Sequence, residues 1–349
     1  MPSKIGYYVS GNTAEGFVNF LPTNTTNFFH HIILKHPSHT LKSAIIQEII
    51  HEYEPTNDIE VLYSSIGKEF LDGVIIRDKK VAIIDERIAT AALNGAFEIN
   101  LSLFTKDEIL SFESTDAITN IENYTQQAYE DFWKGLKVHD DLEEIYIKEM
   151  DFDRANEMAD EYIQKVLKDT PNGKQDPAVF HRFFGTNTKD GVVNVVPTLL
   201  NGLTSKYFIK GRAGTGKSTF MKKIMAACNE HGYDVELYHC SFDPNSIDMV
   251  LVRDLDFCVF DSTDPHEYFP EKPGEEIIDM YKEAVTSGTD EKYATDIKRL
   301  NLDYKSFMKK GVQQLQLAGE ALIALEQQVL IDPKEVEKIK SFILNKIIE

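Results

Sequence analysis

The chain repeats itself once, and that duplication constrains its fold most, because it requires two units of one plan. SGNTAEGFVNFLPT, from Ser10, aligns without a gap on GTNTKDGVVNVVPT, from Gly185, at an offset of 175 residues. Asn12 meets Asn187, Thr13 meets Thr188, Gly16 meets Gly191, Asn19 meets Asn194 and Pro22 meets Pro197. The same register carries on to Lys42 and Ser43, which meet Lys217 and Ser218, with 11 identities in the 34 pairs from Ser10 to Ser43. One inserted residue then moves the offset to 176, so that DIEVLYSS from Asp58 meets DVELYHCS from Asp234. Asp72, Arg77, Asp78 and Asp85 fall on Asp248, Arg253, Asp254 and Asp261.

A length of 349 residues suits two domains. The polar run KDTPNGKQDP, Lys168 to Pro177, holds two prolines and a glycine and reads as a linker. The expected division is a first copy over 1–170, a linker over 171–178 and a second copy over 179–349. Each copy has a β-rich start ending in an apolar run (HHIILK, KYFIK), then a loop and a helix pattern such as STFMKKIMAACNEHG, closed by Gly232. The runs VELYHC, MVLV and FCVF follow in the second copy. Such nearly continuous apolar strands between helices predict an α/β fold, a parallel sheet covered on both faces. Both copies end in long helical extensions. Phe307, Met308, Val312, Leu315, Leu322, Leu325 and Val329 form a core-facing stripe in the second, with a counterpart around Tyr129, Phe132, Trp133 and Leu136. The charged stretch from Asp140 to Tyr162 reads as a solvated helix face.

A net charge of −20 argues against a general nucleic-acid or anionic-membrane surface, while leaving room for a local basic pocket. Three cysteines without a Cys-x-x-Cys pair argue against a disulfide scaffold or zinc site and for a reducing compartment. No signal-like N-terminus and no spanning apolar run is read, so the expectation is a soluble, cytoplasmic protein.

The segment GRAGTGKS, Gly211 to Ser218, meets every required position of G-x-x-x-x-G-K-[ST], with an apolar strand before it and a helix pattern after it. Gly211, Gly214 and Gly216 let successive N–H groups point into one hollow where a side chain would occupy the phosphate's place. The helix N-terminus adds its positive end. Lys217 is expected to reach the β- and γ-phosphates and the Ser218 hydroxyl to ligate Mg²⁺. Arg212, Ala213, Thr215 and Thr219 complete the expected nucleotide contacts. Lys206, Lys210, Arg212, Lys222 and Lys223 read as a cationic spot. FCVFD ends at Asp261, the form of a strand whose carboxylate holds Mg²⁺ through water, although many buried strands end in Asp.

With these residues the second copy resembles a P-loop NTPase. More narrowly, the whole chain is similar to a poorly characterised bacterial family of predicted ATPases with two tandem P-loop halves. Its G-N-T-x-x-G-type, V-E-L-x-H-C and D-x-T-x-P-H segments read here as GTNTKDG, VELYHC and DSTDPH. The resemblance implies ATP binding and hydrolysis. In the first copy the loop reads HPSHTLKS: His36, His39 and Leu41 replace the three glycines and Pro37 removes an N–H, while Lys42, Ser43 and Asp85 survive. That loss predicts a structural or regulatory half.

Asp264, His266 and Glu267 follow Asp261 at the expected ligand edge of the sheet and are candidate catalytic groups beside Lys217 and Asp261. His239, Asp243 and Asp248 follow the neighbouring strand as further candidates, with His239 readable as a strand end and Asp243 as a turn, and Cys240 reads as a small buried hydrophobe. Asn12, Thr13, Asn187, Thr188, Arg77 and Arg253 recur in both copies, which favours structural turns. The leading functional reading is a Mg²⁺-dependent ATPase. A small-molecule or nucleotide kinase shares the loop, and a non-hydrolysing scaffold would sense nucleotide and bind another protein through its helices. No N-K-x-D segment reads guanine, which favours ATP.

Overall fold

The computed structural model describes residues 2–106, 115–264 and 266–348. In the first half β1 (Lys4–Tyr7) leads to a hairpin of β2 (Ser10–Thr13) and β3 (Gly16–Asn19), a helical turn α1 (Leu21–Asn24) and β4 (His30–Lys35). Helix α2 (His39–Tyr53) follows, then β5 (Ile59–Tyr63), β6 (Leu71–Ile76), β7 (Val81–Asp85) and β8 (Ala96–Asn100). Two helices close this half, α3 (Thr115–Ile147) and α4 (Phe152–Leu167). The second half repeats the series: β9 (Val179–Phe183), the hairpin β10 (Gly185–Thr188) and β11 (Gly191–Asn194), α5 (Val196–Leu199) and β12 (Ser205–Lys210). Helix α6 (Lys217–Glu230), β13 (Val235–His239), β14 (Ile247–Val252), β15 (Phe257–Asp261) and β16 (Glu275–Asp279) come next. The chain ends in α7 (Met280–Ala284), α8 (Thr289–Lys292), α9 (Ala294–Glu326) and α10 (Pro333–Ile348).

The two six-stranded sheets have one topology, β1-β5-β6-β7-β4-β8 and β9-β13-β14-β15-β12-β16. Both are mixed rather than parallel, because β6 and β14 run antiparallel to both neighbours. Continuous apolar runs do not report strand direction: a strand buried on both faces reads the same either way. In each half a short irregular connection after Tyr63 or His239 returns the chain as the antiparallel strand.

Side-chain alternation divides each sheet between two cores. Ile32, Leu34, Val74, Ile76 and Ile83 face outward onto Ile45, Ile46, Ile49 and Ile50 of α2. Ile33, Ile75, Ala82 and Ile84 face inward, where they share one core with Phe208, Met249, Leu251, Cys258 and Phe260 of the second sheet. The inner cover is therefore the other half, not a second layer of helices. The terminal helices are exchanged. Met158 and Ala159 of α4 pack with Phe220 and Ile224 of α6 in the second half, and Val336, Ile339 and Ile343 of α10 pack on α2 in the first. The charged stretch from Asp140 to Tyr162 thus breaks into two helices, and it buries Leu142, Tyr146, Met158 and Ala159 instead of lying wholly in solvent.

Repeated residues hold the halves together. Asn12 Nδ2 donates to the Asn187 carbonyl at 2.8 Å and Asn187 Nδ2 to the Asn12 carbonyl at 2.9 Å. Thr13 and Thr188 each bond the glycine carbonyl that closes their hairpin, at 2.9 and 3.0 Å. Arg77 binds Glu60 and Arg253 binds Glu236, while Arg182 bridges Glu60 at 3.1 Å and Glu236 at 2.9 Å across the junction. Among the described residues no helix is long and apolar enough to cross a membrane.

Candidate functional site

The Gly211–Ser218 loop leaves the end of β12, where Ile209 pairs in parallel with Asp261 of β15, and enters α6 at Lys217. Gly214 and Gly216 have φ of +71° and +78°, values that an L side chain rarely adopts. A Cβ on Gly211 would run into Thr215 Oγ1, and one on Gly214 would lie 2.5 Å from the Glu143 carbonyl oxygen. Thr215 Oγ1 and Lys217 Nζ both donate to the Arg212 carbonyl, at 2.8 and 2.7 Å. Lys217 Nζ also stands 3.5 Å from the Asp261 carboxylate, which accepts the Thr263 hydroxyl at 2.7 Å. Ser218 Oγ accepts the Ile247 N–H at 2.9 Å, as Ser43 Oγ accepts the Leu71 N–H at 2.9 Å in the first half. This bond ties the loop-following helix to the antiparallel strand in both copies.

The neighbours of the loop come from far along the chain. Ala213 packs with Leu142 and Tyr146 of α3, and Arg212 pairs with Asp290 at 2.9 Å. Tyr146 Oη holds the same Asp290 at 2.9 Å. The Glu143 carboxylate lies beside the Gly214 N–H and 3.7 Å from His139 Nδ1, and His139 lies within electrostatic reach of Lys217 and Asp261. Burial and then Lys217 push the His139 imidazole below its ordinary value, against the charges of Asp140, Asp243 and Asp261. Asp248, beside Asp261 at the same sheet edge, is pushed up by burial and by the Asp261 charge, against a hydrogen bond from Cys240 and the Lys217 charge. Its counterpart Asp72 is locked onto Arg87 at 2.6 Å, but Thr263 stands at the position equivalent to Arg87. A carboxyl held toward its protonated form beside a lysine and a second carboxylate can take up or deliver a proton.

The other expected groups are spread around this centre. Asp264 is exposed and pairs with Lys305 at 3.2 Å, and Glu267 pairs with Lys210 at 3.1 Å. His266 is turned inward with its ring edge-to-face on Phe184 and its buried Nδ1 without a partner. Burial lowers its basicity despite Asp261 and Asp264 nearby. Pro265 lies outside the described residues. His239 faces the first half, bonding His181 at 2.7 Å and the Pro244 carbonyl at 2.6 Å, and burial pushes it down to about 4. Asp243 accepts the Asn245 N–H and Ser246 hydroxyl, a turn role.

The cationic spot does not assemble as the sequence suggests. Lys206 sits at the opposite end of β12 from the loop, bound to Glu275 at 2.9 Å. Lys222 and Lys223 donate to the Asn245 carbonyl and the Asn156 side chain. Adjacency in sequence does not place side chains on one edge of a strand whose residues advance about 3.3 Å each.

In the first half the corresponding groups satisfy one another. Lys42 Nζ lies 2.9 Å from Asp85, with both side chains 2% exposed, and His39 Nδ1 lies 3.0 Å from the same carboxylate. Glu326, from α9, accepts the Ser38 hydroxyl and the N–H groups of His39 and Thr40 at 2.7, 2.6 and 3.3 Å. Comparison with protein-family models, with curated proteins and with solved structures finds no match to this chain.

Proposed function

We propose that the second half binds ATP with Mg²⁺ at Gly211–Ser218 and hydrolyses it, and that the first half is a structural or regulatory copy of the same P-loop NTPase-like unit. The observation that carries this reading is the strand–loop–helix at Gly211–Ser218. It has two left-handed glycines, a lysine at the helix start and Asp261 beside it on the adjacent parallel strand. Successive N–H groups at a helix N-terminus favour a phosphate chain, and Lys217 has one carbonyl hydrogen bond and one long ion pair to exchange for it. Among the described residues no three His, Cys, Asp or Glu side chains converge as a metal cage. Ser218 and Asp261 would instead share a magnesium ion with phosphate oxygens and water, the usual habit of that ion. The ion would neutralise charge on the phosphates, while Lys217 orients them and Asp248, with Asp261, offers a proton acceptor for an attacking water. The first half supports the division of roles, since its lysine, its loop N–H groups and its strand-end aspartate are bound internally.

Isothermal titration with MgATP and a phosphate-release assay test the reading. Wild type binds and turns over ATP, whereas Lys217→Ala loses both and keeps its circular dichroism spectrum. Equal turnover in the variant would sink the assignment. Release of ADP with a phosphorylated acceptor, in place of free phosphate, would make the protein a kinase.

A further inference from the structure

Two glutamates reach the same backbone position in the two halves. Gly214 of the intact loop and His39 of the altered loop are equivalent in the duplication, and each lies against a glutamate carried by the long helix of the opposite half: His39 donates its N–H to Glu326 at 2.6 Å, and Gly214 packs on the Glu143 turn with its N–H beside the Glu143 carboxylate. The two glutamates are not equivalent. Glu143 lies four residues before the end of α3, whereas Glu326 is the last residue of α9. Different turns of α3 and α9 therefore bring a carboxylate to one recurring position of the loop, where backbone N–H groups ahead of a helix call for an acceptor.

Their surroundings differ in a way that separates a permanent partner from a replaceable one. Glu326 accepts three donors and is buried at 6% exposure. The Glu143 side chain is 36% exposed. Burial and the like charges of Asp140 and Asp243 weigh against its ionised form, with the Gly214 N–H and Lys217 on the other side. Its helix turn is close to the loop: the Glu143 carbonyl would meet a Cβ on Gly214, and Leu142 and Tyr146 pack on Ala213.

We propose that Glu143 is a built-in competitor for the anion site at Gly211–Ser218, its carboxylate standing beside the Gly214 N–H until a polyphosphate takes that place and displaces that turn of α3. The proposal rests on reading the loop as a nucleotide site. A triphosphate brings several charges to Lys217 and the loop N–H groups, where Glu143 brings one. Its arrival removes the carboxylate from beside Asp140 and Asp243, and the motion passes to α9 through Leu142, Tyr146 and Leu300. Nucleotide occupancy is thereby coupled to the helix pair that joins the halves.

Full-length wild type, Glu143→Gln and Glu144→Gln are each titrated calorimetrically with MgATP and with inorganic tripolyphosphate. The glutamine keeps the size and an acceptor oxygen but removes the charge. Glu143→Gln is expected to bind both ligands about tenfold tighter than wild type. Glu144→Gln removes a charge from an exposed neighbour on the same helix, so it separates the contact from net charge. Equal gains in both variants, or equal or weaker binding in Glu143→Gln, would overturn the competitor role while leaving the loop as a nucleotide site. Failure of all three proteins to bind either ligand at millimolar concentration would overturn the loop reading together with the proposal.

Discussion

Lys42 and Lys217 are the same residue of the duplicated unit, and each faces its strand-end aspartate, but Lys42 is the more deeply buried and the more closely paired. Lys42 is 2% exposed and fixed to Asp85, whereas the Lys217 side chain is 13% exposed and lies 3.5 Å from Asp261. Removing one partner of a buried pair leaves an uncompensated charge. Lys42→Ala should therefore lower the unfolding free energy by about 3–5 kcal/mol in a urea titration, and Lys217→Ala by clearly less. The same pair gives a pH dependence. Burial would raise the Asp85 carboxyl, but the hydrogen bond and charge of His39 and the charge of Lys42 outweigh it and hold it well below its ordinary range. A depressed carboxylate contributes stability above its unfolded value near pH 4, and that contribution is lost as pH falls toward the folded value. Acid unfolding followed by tryptophan fluorescence should start at a higher pH in Lys42→Ala than in wild type.

At the scale of elements, the long helices meet through small residues placed in both copies. Gly311 of α9 lies against the Phe132 ring of α3, and Gly135 of α3 faces Phe307 of α9, with a Cβ on Gly135 3.3 Å from Phe307 Cβ. A Cβ on Gly311 would enter the Phe132 ring, which is fully buried and has no room to turn aside. Alanine favours a helix over glycine by about 1 kcal/mol, but overpacking a closed contact costs about 1–3 kcal/mol, so the clash should win. Gly311→Ala is expected to lower the thermal midpoint, and Gly135→Ala to change it far less. The apolar stripe of α9 was legible from its spacing, and so was the run of glycines at Gly211–Ser218. The partner of the stripe was not, because periodicity marks a buried face without naming what buries it.

At the scale of the molecule, the exchanged helices make the halves interdependent. Residues 1–170 alone would lack α10 over Ile45, Ile46, Ile49 and Ile50, and residues 171–349 alone would lack α4 over Phe220 and Ile224. Each half would also expose its inner sheet face and leave Glu60 or Glu236 without Arg182 or its bridge. Expressed separately, the halves should be insoluble or bind a hydrophobic dye, and co-expression should recover a soluble 1:1 complex. Two independently folded, monomeric halves would contradict the exchange.

The sequence by itself determined the duplication, the repeated succession of strand, loop and helix, and the asymmetry between HPSHTLKS and GRAGTGKS. These are local properties, carried by side-chain alternation, by glycine and proline, and by register along one chain. Only the tertiary structure decided that β6 and β14 run antiparallel, that the inner faces share a core, and that α4 and α10 cross over. It alone brought Glu143 and His139 to the loop, set Asp248 beside Asp261 and moved Lys206 away. Such contacts join residues remote in the chain through packing, and no local preference of either partner encodes which distant surface it will meet.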